Sequence, residues 1–275
     1  MNPMTLPVVL FSCCLACCQE SQNRESQKAP PASQEPDAKA LLAEAMATFA
    51  EHKITVDLEA QTVTIPVVVN EPADPIEYLL IHSKGKKHEA MFITESLPSV
   101  LNGALLMVGL QPGQNATVTD KDPMPTREEV ENGAETVVIT PPKGVPFWMT
   151  VKWKTPEGKT VEHCIEDLIL DLTTQEPVRE CKWIYLGGRM ARIYKNDPEV
   201  YVADFEGNLI SACYMVPANH LATMEHARAR DEQNWWLTNK VPAPGTEVQF
   251  VFHRKKTKLH TAREKRLAEE KAKKG

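Results

Sequence analysis

The chain has 275 residues, a formal net charge of −6 at pH 7 and 42% hydrophobic residues. That length and apolar content are sufficient for a globular part with a sizeable core. The phosphate-binding motifs G-x-x-x-x-G-K-[ST] and G-x-G-x-x-G and the esterase motif G-x-S-x-G do not occur in the sequence, which disfavours nucleotide-dependent and serine-esterase chemistry.

The start of the chain has the pattern of an export signal that ends in a lipid-attachment sequence. Leu6–Ser12 is an apolar run of the length typical of a signal peptide, too short to span a bilayer stably. The following Leu15-Ala16-Cys17-Cys18 resembles a bacterial lipobox. We therefore expect a signal peptide over residues 1–17, lipid on Cys17 or Cys18, and an exported protein anchored on the periplasmic side of a membrane in the cell envelope. The alternatives are a buried cysteine-rich strand or a redox C-x-x-C pair, for which no βαβ context is present.

Residues 18–36 are predicted to form a flexible tether. Gln19–Pro36 contains no aromatic residue and no aliphatic residue larger than Ala, so it cannot bury enough apolar surface to offset its ordering entropy. Residues 37–53 are predicted to form a short helix with Asp37 as its N-cap. The apolar side of this helix would consist of Leu41, Leu42, Ala45, Met46 and Phe49.

Residues 54–254 have the pattern of a β-rich domain. Pro and Gly recur roughly every ten residues, and the segments between them are short and rich in β-branched and aromatic residues. The predicted strands are Ile54–Leu58, Thr62–Val69, Ile76–His82, Thr136–Thr140, Phe147–Lys154, Trp183–Leu186, Val200–Asp204, Leu209–Tyr214 and Glu247–His253. The predicted fold class is α+β, mainly an antiparallel β sheet or sandwich, in one domain or two closely packed ones.

Two short helices are predicted to pack on this core. Pro98 suits the first turn of a helix that ends at Gly109. A second helix is predicted over Cys164–Leu172, because the apolar residues recur at helical spacing. Those residues are Ile165, Leu168, Ile169 and Leu172.

Several of these segments together resemble a known family. They are Ile76–His82, Gly85–Ala90, Pro98–Gly113, Trp183–Gly188, Tyr201–Ile210 and Pro244–Val248. In order and spacing they look like the YdjY domain family of bacterial proteins. The resemblance implies a YdjY-like domain over residues 54–254 without an established biochemical activity. The family often has a histidine in the first turn of the Pro98 helix, where this chain has Val100 and Asn102.

His82, His88 and Glu89 are the candidate metal-binding or ligand-binding residues, supported by Asp204 and Glu206 from a later predicted hairpin. Imidazole and carboxylate ligands suit zinc, which is the cofactor expected if these residues converge. The zincin motif H-E-x-x-H is incomplete, because Phe92 stands four residues after His88. The simpler alternative is a polar turn, with His88 beginning the next strand.

The cysteines of the body are not spaced like a zinc knuckle. In an oxidising periplasm Cys164 and Cys181, which are nearest in sequence, could form a disulfide and leave Cys213 over. The alternative, which the sequence supports equally, is that all three cysteines remain buried free thiols.

Residues 255–275 form a basic tail on an acidic body. From Arg254 to Gly275 there are ten Lys and Arg against three Glu, and the rest of the chain has 21 against 34. The tail is predicted to be a frayed, exposed helix or disordered, because its few apolar residues form no packed face. It could contact anionic lipid headgroups. The acidic body and the expected export disfavour nucleic acid as a partner.

Two functions follow from these patterns. The preferred hypothesis is a non-catalytic module, tethered to a membrane, that presents a β-rich surface to another envelope protein or a ligand. The alternative is a metal-binding protein or metal-dependent enzyme that uses His82, His88 and Glu89. The sequence does not decide whether the protein is an enzyme.

Overall fold

The computed structural model describes residues 37–274. Its helices are α1 (Ala38–Glu51), α2 (Pro98–Met107), α3 (Arg127–Glu131), α4 (Val202–Glu206) and α5 (Lys258–Lys274). Its strands are β1 (Thr55–Asp57), β2 (Thr62–Val69), β3 (Tyr78–His82), β4 (Ala90–Thr94), β5 (Thr117–Asp120), β6 (Val137–Thr140), β7 (Pro146–Lys154), β8 (Thr160–Cys164), β9 (Ile169–Asp171), β10 (Glu176–Pro177), β11 (Lys182–Tyr185), β12 (Met190–Ala191), β13 (Val200–Tyr201), β14 (Asn208–Ser211), β15 (Ala222–Glu225), β16 (Trp235–Leu237) and β17 (Glu247–His253). Two 3₁₀ turns, Lys87–Glu89 and Ile165–Asp167, complete the elements.

Eight of the strands close into a barrel. Their order around the ring is β2-β17-β7-β11-β15-β14-β3-β4, and β4 returns to β2 through the pairs Val68 with Ile93 and Val69 with Phe92. The neighbours β3–β4 and β14–β15 are parallel, whereas the other neighbours in the ring are antiparallel. The predicted antiparallel sheet or sandwich with one or two helices is therefore wrong: this part of the chain is a closed mixed barrel with five helices. Strand patterns do not contain the long-range pairing that closes a ring.

The two strands with the clearest alternation occupy the side of the ring where it closes. In β2, Val63, Ile65, Val67 and Val69 are buried, and Phe250 of β17 lies opposite Ile65. The ring of Phe250 meets that of Phe92 of β4 edge to face, with centroids 5.9 Å apart. Burying each such side chain contributes about 1.5–3 kcal/mol, so this alternation strongly favours one register.

The predicted elements agree with the structure where the pattern is regular and differ where it is short. The strands Thr62–Val69 and Glu247–His253 and the Pro98 helix are confirmed. The predicted helix Cys164–Leu172 is wrong, because a 3₁₀ turn and β9 take its place and Ile169 pairs with Leu237 of β16. The predicted strand Val200–Asp204 is also wrong, since β13 ends at Tyr201 and α4 begins at once. Most of Cys164–Leu172 is buried, its acidic residues included, so apolar spacing there could not distinguish turn, helix and strand. In Val200–Asp204 only Val202 and Ala203 are buried, and the segment is too short for its apolar residues to set a period.

The C-terminal helix α5 is packed against the body. Its helical conformation was predicted, but the expectation of a tail without a packed face is wrong, because His260 and Arg263 are buried. Arg263 donates from Nε to Asp167 Oδ1 at 2.8 Å and from Nη2 to the Val178 carbonyl at 2.6 Å. Burial alone would raise the pKa of Asp167, but the hydrogen bond and charge of Arg263 hold it below its usual value. The helix is therefore attached by a buried ion pair.

The predicted signal peptide, the lipid-attachment residues Cys17 and Cys18 and the predicted tether all lie outside the described residues. Residues 38–274 belong to one compact unit. Among residues 37–274, no helix combines the length and the hydropathy needed to cross a membrane.

Replacing Arg263 by Met should lower the free energy of unfolding by about 2–4 kcal/mol, because Asp167 loses its main charge partner in a buried setting. Urea denaturation of the variant and the natural chain measures this difference. Lys265→Met on the exposed side of the same helix, where the side chain is 81% exposed, is the control and should change stability by less than about 0.5 kcal/mol. Equal losses in both variants would contradict the docking of α5.

Candidate functional site

The predicted ligand residues occupy separate places. His88 and Glu89 lie in the first 3₁₀ turn, His82 ends β3, and Asp204 and Glu206 belong to α4. Among residues 37–274, the only group of three potential metal-ligand atoms within 4.8 Å of one another is formed by other residues: Cys164, Glu166 and His260. The structure therefore does not bring His82, His88 and Glu89 together as a metal site.

Glu89 instead forms a carboxyl pair with Glu77, the residue before β3. The Glu77 N–H donates to the Glu89 carbonyl at 3.0 Å, which holds the two residues side by side. Lys86 Nζ lies 2.7 Å from Glu89 Oε1 and 3.6 Å from Glu77 Oε2, and 5.6 Å from the centroid of the Tyr78 ring. The exposed His88 places Nε2 3.6 Å from Glu89 Oε2. We call Glu77 and Glu89 the acidic pair.

Within the acidic pair, Glu77 holds a proton near neutral pH. Burial, with a further contribution from the hydrogen bond to Glu89 and the charge of Glu89, raises the pKa of Glu77 to about 7. Lys86 opposes this shift. Two close carboxyl groups cannot both ionise without cost, which favours the protonated form of Glu77. Glu77 can exchange a proton with solvent around pH 7.

Glu206 belongs to a polar network that begins at Tyr78. Asn208 Nδ2 lies 3.4 Å from the Tyr78 hydroxyl and donates to Glu206 Oε2 at 3.2 Å. The other carboxylate oxygen of Glu206 accepts a hydrogen bond from Asn219 Nδ2 at 2.7 Å. Both oxygens of Glu206 are thus used to hold α4 and β14 in place, which explains its position without a metal.

His82 and Asp204 also have structural partners. His82 is buried and its Nδ1 accepts a hydrogen bond from the Lys84 N–H at 3.3 Å, and burial lowers its pKa. Asp204 Oδ1 accepts a hydrogen bond from the Ser99 N–H at 2.7 Å, in the first turn of α2. A carboxylate at this position satisfies a free N–H and complements the helix dipole. These contacts fix the turn after β3 and the start of α2.

A groove with a volume of about 930 Å³ runs along the closure of the barrel. It lies across β2, β4, β7 and β17, and its floor includes Pro66, Val68 and Ile93. Val68 is 41% exposed, which leaves an apolar surface open to a partner. Charged side chains of both signs line it as well: Lys53, Glu95, Lys152, Lys154 and Glu247. We call this surface the binding groove, since its size is within the range of ligand sites.

The three cysteines of the body are free thiols, so the predicted Cys164–Cys181 disulfide is not formed in the structure. Burial raises the pKa of Cys164 to about 12 and also raises the pKa of Cys181 and Cys213. A thiol with a raised pKa is a poor nucleophile. None of the three is therefore prepared for nucleophilic catalysis.

Sequence reasoning missed the residues around Glu89. Glu77 stood inside a predicted strand and Lys86 inside a polar turn, and neither position shows a motif. Their contact depends on the parallel pairing of β3 with β4, in which Tyr78 lies opposite Ala90. The binding groove likewise depends on the contact between β2 and β4. Only a prediction of strand pairing could have found either feature.

The match to known families covers the barrel. The family model of the YdjY domain matches residues 54–253. The chain belongs to the YdjY domain family. The match extends from β1 to the end of β17, includes the acidic pair and most of the binding groove, and ends before α5. No curated protein and no solved structure matches this chain.

The acidic pair predicts a particular pH dependence of stability. The folded-state pKa of Glu77, about 7, exceeds the ordinary value of 4.5, so the folded protein binds this proton more tightly than the unfolded chain does. The resulting stabilisation is complete below about pH 4.5 and is lost as the pH rises through about 7. Between about pH 5 and pH 8, the free energy of unfolding of the natural chain should therefore fall by about 1–3 kcal/mol relative to Glu77→Gln.

Urea denaturation at a series of pH values measures this difference. Glu71→Gln, at an exposed position in the loop before β3, is the matched control and should follow the natural chain. Parallel curves for the natural chain and Glu77→Gln would show that Glu77 is not protonated in the folded state.

Proposed function

We propose that this YdjY-domain protein is an exported, lipid-anchored envelope protein whose barrel is a non-catalytic binding module. The observation that carries the proposal is the binding groove, an open apolar surface with charged groups of both signs around it. A segment of another envelope protein with apolar side chains and flanking charges fits this surface. The groove binds by side-chain contacts, because the strands beneath it already have hydrogen-bonded neighbours on both sides.

The sequence supports the anchor. An apolar run, a lipobox-like Leu15-Ala16-Cys17-Cys18 and a long polar segment follow one another in the order of a lipoprotein with a tether. A lipid on Cys17 or Cys18 would hold the barrel near a membrane, and a tether of this length would let the groove reach neighbouring proteins.

The lining of the groove supports binding over catalysis. Its described lining residues include no histidine or cysteine, the side chains most often used as general base or nucleophile. The acidic pair is not among its lining residues. The alternative function, a metal enzyme using His82, His88 and Glu89, lacks the convergence that it requires.

Contact of α5 with anionic lipid is a minor part of the proposal. Arg263 and Arg266 both contact Asp167, and Lys271 Nζ lies 3.4 Å from Glu180 Oε1. These pairs use part of the positive charge that the sequence places in the tail. We therefore assign partner binding to the groove and attachment to the N-terminal lipid.

Metabolic labelling with a radioactive fatty acid in a bacterial host tests the anchor. The natural chain should be labelled and should sediment with membranes. Only one cysteine becomes the acylated N-terminus, so one of the two substitutions, Cys17→Ala or Cys18→Ala, should abolish both properties. Cys13→Ala is the control and should stay labelled. An unlabelled natural chain would refute lipid anchoring.

Site-specific photo-crosslinking in cells tests the groove. A photoreactive residue at exposed Gln249 in the groove should give a defined adduct with an envelope protein, and Val68→Arg should reduce it by about tenfold or more, since a charge placed at a buried contact costs more than about 1.4 kcal/mol. Val118→Arg in β5, where the side chain does not line the groove and is similarly exposed, should leave the adduct unchanged. If a photoreactive residue at Thr119 of β5 gave the same adducts as one at Gln249, crosslinking would not depend on the groove, and the proposal would be contradicted.

A further inference from the structure

Three buried side chains from two distant parts of the chain converge beside the barrel. Cys164 ends β8, Glu166 lies in the second 3₁₀ turn, and His260 lies near the start of α5. Each residue offers one ligand atom, and the three atoms lie within 4.8 Å of one another. They are the cysteine Sγ, a carboxylate oxygen and an imidazole nitrogen. The residues are 1%, 5% and 4% exposed. We propose that this Cys-Glu-His cluster binds a divalent transition-metal ion, with zinc as the best fit.

Two polar atoms of the cluster have no hydrogen-bond partner among residues 37–274. They are Glu166 Oε2 and His260 Nε2, which lie 3.5 Å apart. Leaving a buried polar atom without a partner costs about 1–3 kcal/mol, so native structures rarely leave two together. A cation between them would accept a lone pair from each and remove this cost.

The second polar atom of each of these side chains, Glu166 Oε1 and His260 Nδ1, has a hydrogen-bond partner. Trp183 Nε1 donates to Glu166 Oε1 at 3.0 Å, which directs Oε2 towards the cluster. Thr257 Oγ1 lies 2.7 Å from His260 Nδ1. In the tautomer with the proton on Nδ1, Nδ1–H donates a hydrogen bond to Thr257 Oγ1, and the Nε2 lone pair faces Glu166. Outer partners of this kind orient the ligands of many metal sites.

Charge and ligand type favour zinc. A thiolate, a carboxylate and a neutral imidazole together carry two negative charges, which neutralise a divalent ion and reduce the cost of burying it. Sulfur, nitrogen and oxygen ligands in one site suit zinc, and three protein ligands leave a fourth position open. The thiol proton of Cys164 passes to solvent when the ion binds.

Two of the three proposed ligands, Glu166 and His260, line a cavity of about 370 Å³, and Cys164 lies behind them. Cys181, Trp183 and Arg263 also line this cavity. This space can admit the ion and a water molecule or small ligand at the fourth position. Arg263 is already engaged by Asp167, so its charge is compensated before an ion arrives.

A cobalt(II) titration tests the proposal, because a cobalt–thiolate bond gives a near-ultraviolet charge-transfer band. The reduced full-length chain is titrated in detergent under anaerobic conditions. Cys164→Ser and His260→Gln should bind at this site at least about 100-fold more weakly, and Thr257→Val about 10–100-fold more weakly. Cys213→Ser, which removes another buried thiol, is the matched control and should bind like the natural chain. The N-terminal cysteines are common to every variant, so differences report the cluster alone.

A second measurement uses only the natural chain and does not depend on the folding of any variant. Peptide mapping after limited alkylation should show that zinc slows modification of Cys164 at least about tenfold and leaves the rate at Cys213 unchanged, since a bound thiolate is a poorer nucleophile. Circular dichroism establishes which substituted chains are folded. If zinc does not protect Cys164, or if folded Cys164→Ser and His260→Gln bind cobalt as the natural chain does, the site is overturned.

Discussion

The pairing of β2 with β4 is the constraint on which the rest of the structure depends. Two residue pairs, Val68 with Ile93 and Val69 with Phe92, convert an open sheet with exposed edges into a ring. Because side chains alternate along β2, this contact directs Val69 into the core and leaves Val68 as part of the groove floor. The packed interior and the proposed binding surface therefore lie on opposite faces of β2, where it pairs with β4.

The proposed metal site depends on a different part of the ring. The first residues of β7 pair with β11, whereas its last residues pair with β8, which lies outside the ring and carries Cys164. Helix α5 then supplies His260, and the buried Arg263–Asp167 ion pair holds the helix there. The family match includes Cys164 and Glu166 but ends before His260. The third ligand thus comes from the segment that sequence reasoning treated as a solvent-exposed tail.

Prediction from sequence succeeded where one physical pattern dominated. The alternation of β2 and β17 and the proline at the start of α2 located these elements, and the ordered blocks of the barrel identified the family. It failed at Cys164–Leu172, where Glu166, Asp167 and Asp171 are buried together with the apolar residues, so the helical spacing did not mark a single buried face. It also failed at α5, where only a few side chains are buried among many charges. The acidic pair and the Cys-Glu-His cluster could not be found, because each joins residues that become neighbours only through strand pairing or helix docking.

Nuclear magnetic resonance of the full chain offers the most direct test of the closed barrel that creates the groove. The account predicts backbone nuclear Overhauser effects across the Val68–Ile93 and Val69–Phe92 pairs and slow exchange of the amides between them. Absence of those contacts, with amides of β4 exchanging as freely as those of an exposed edge strand, would mean an open sheet. The groove would then have no continuous floor, and the binding function proposed for it would be wrong.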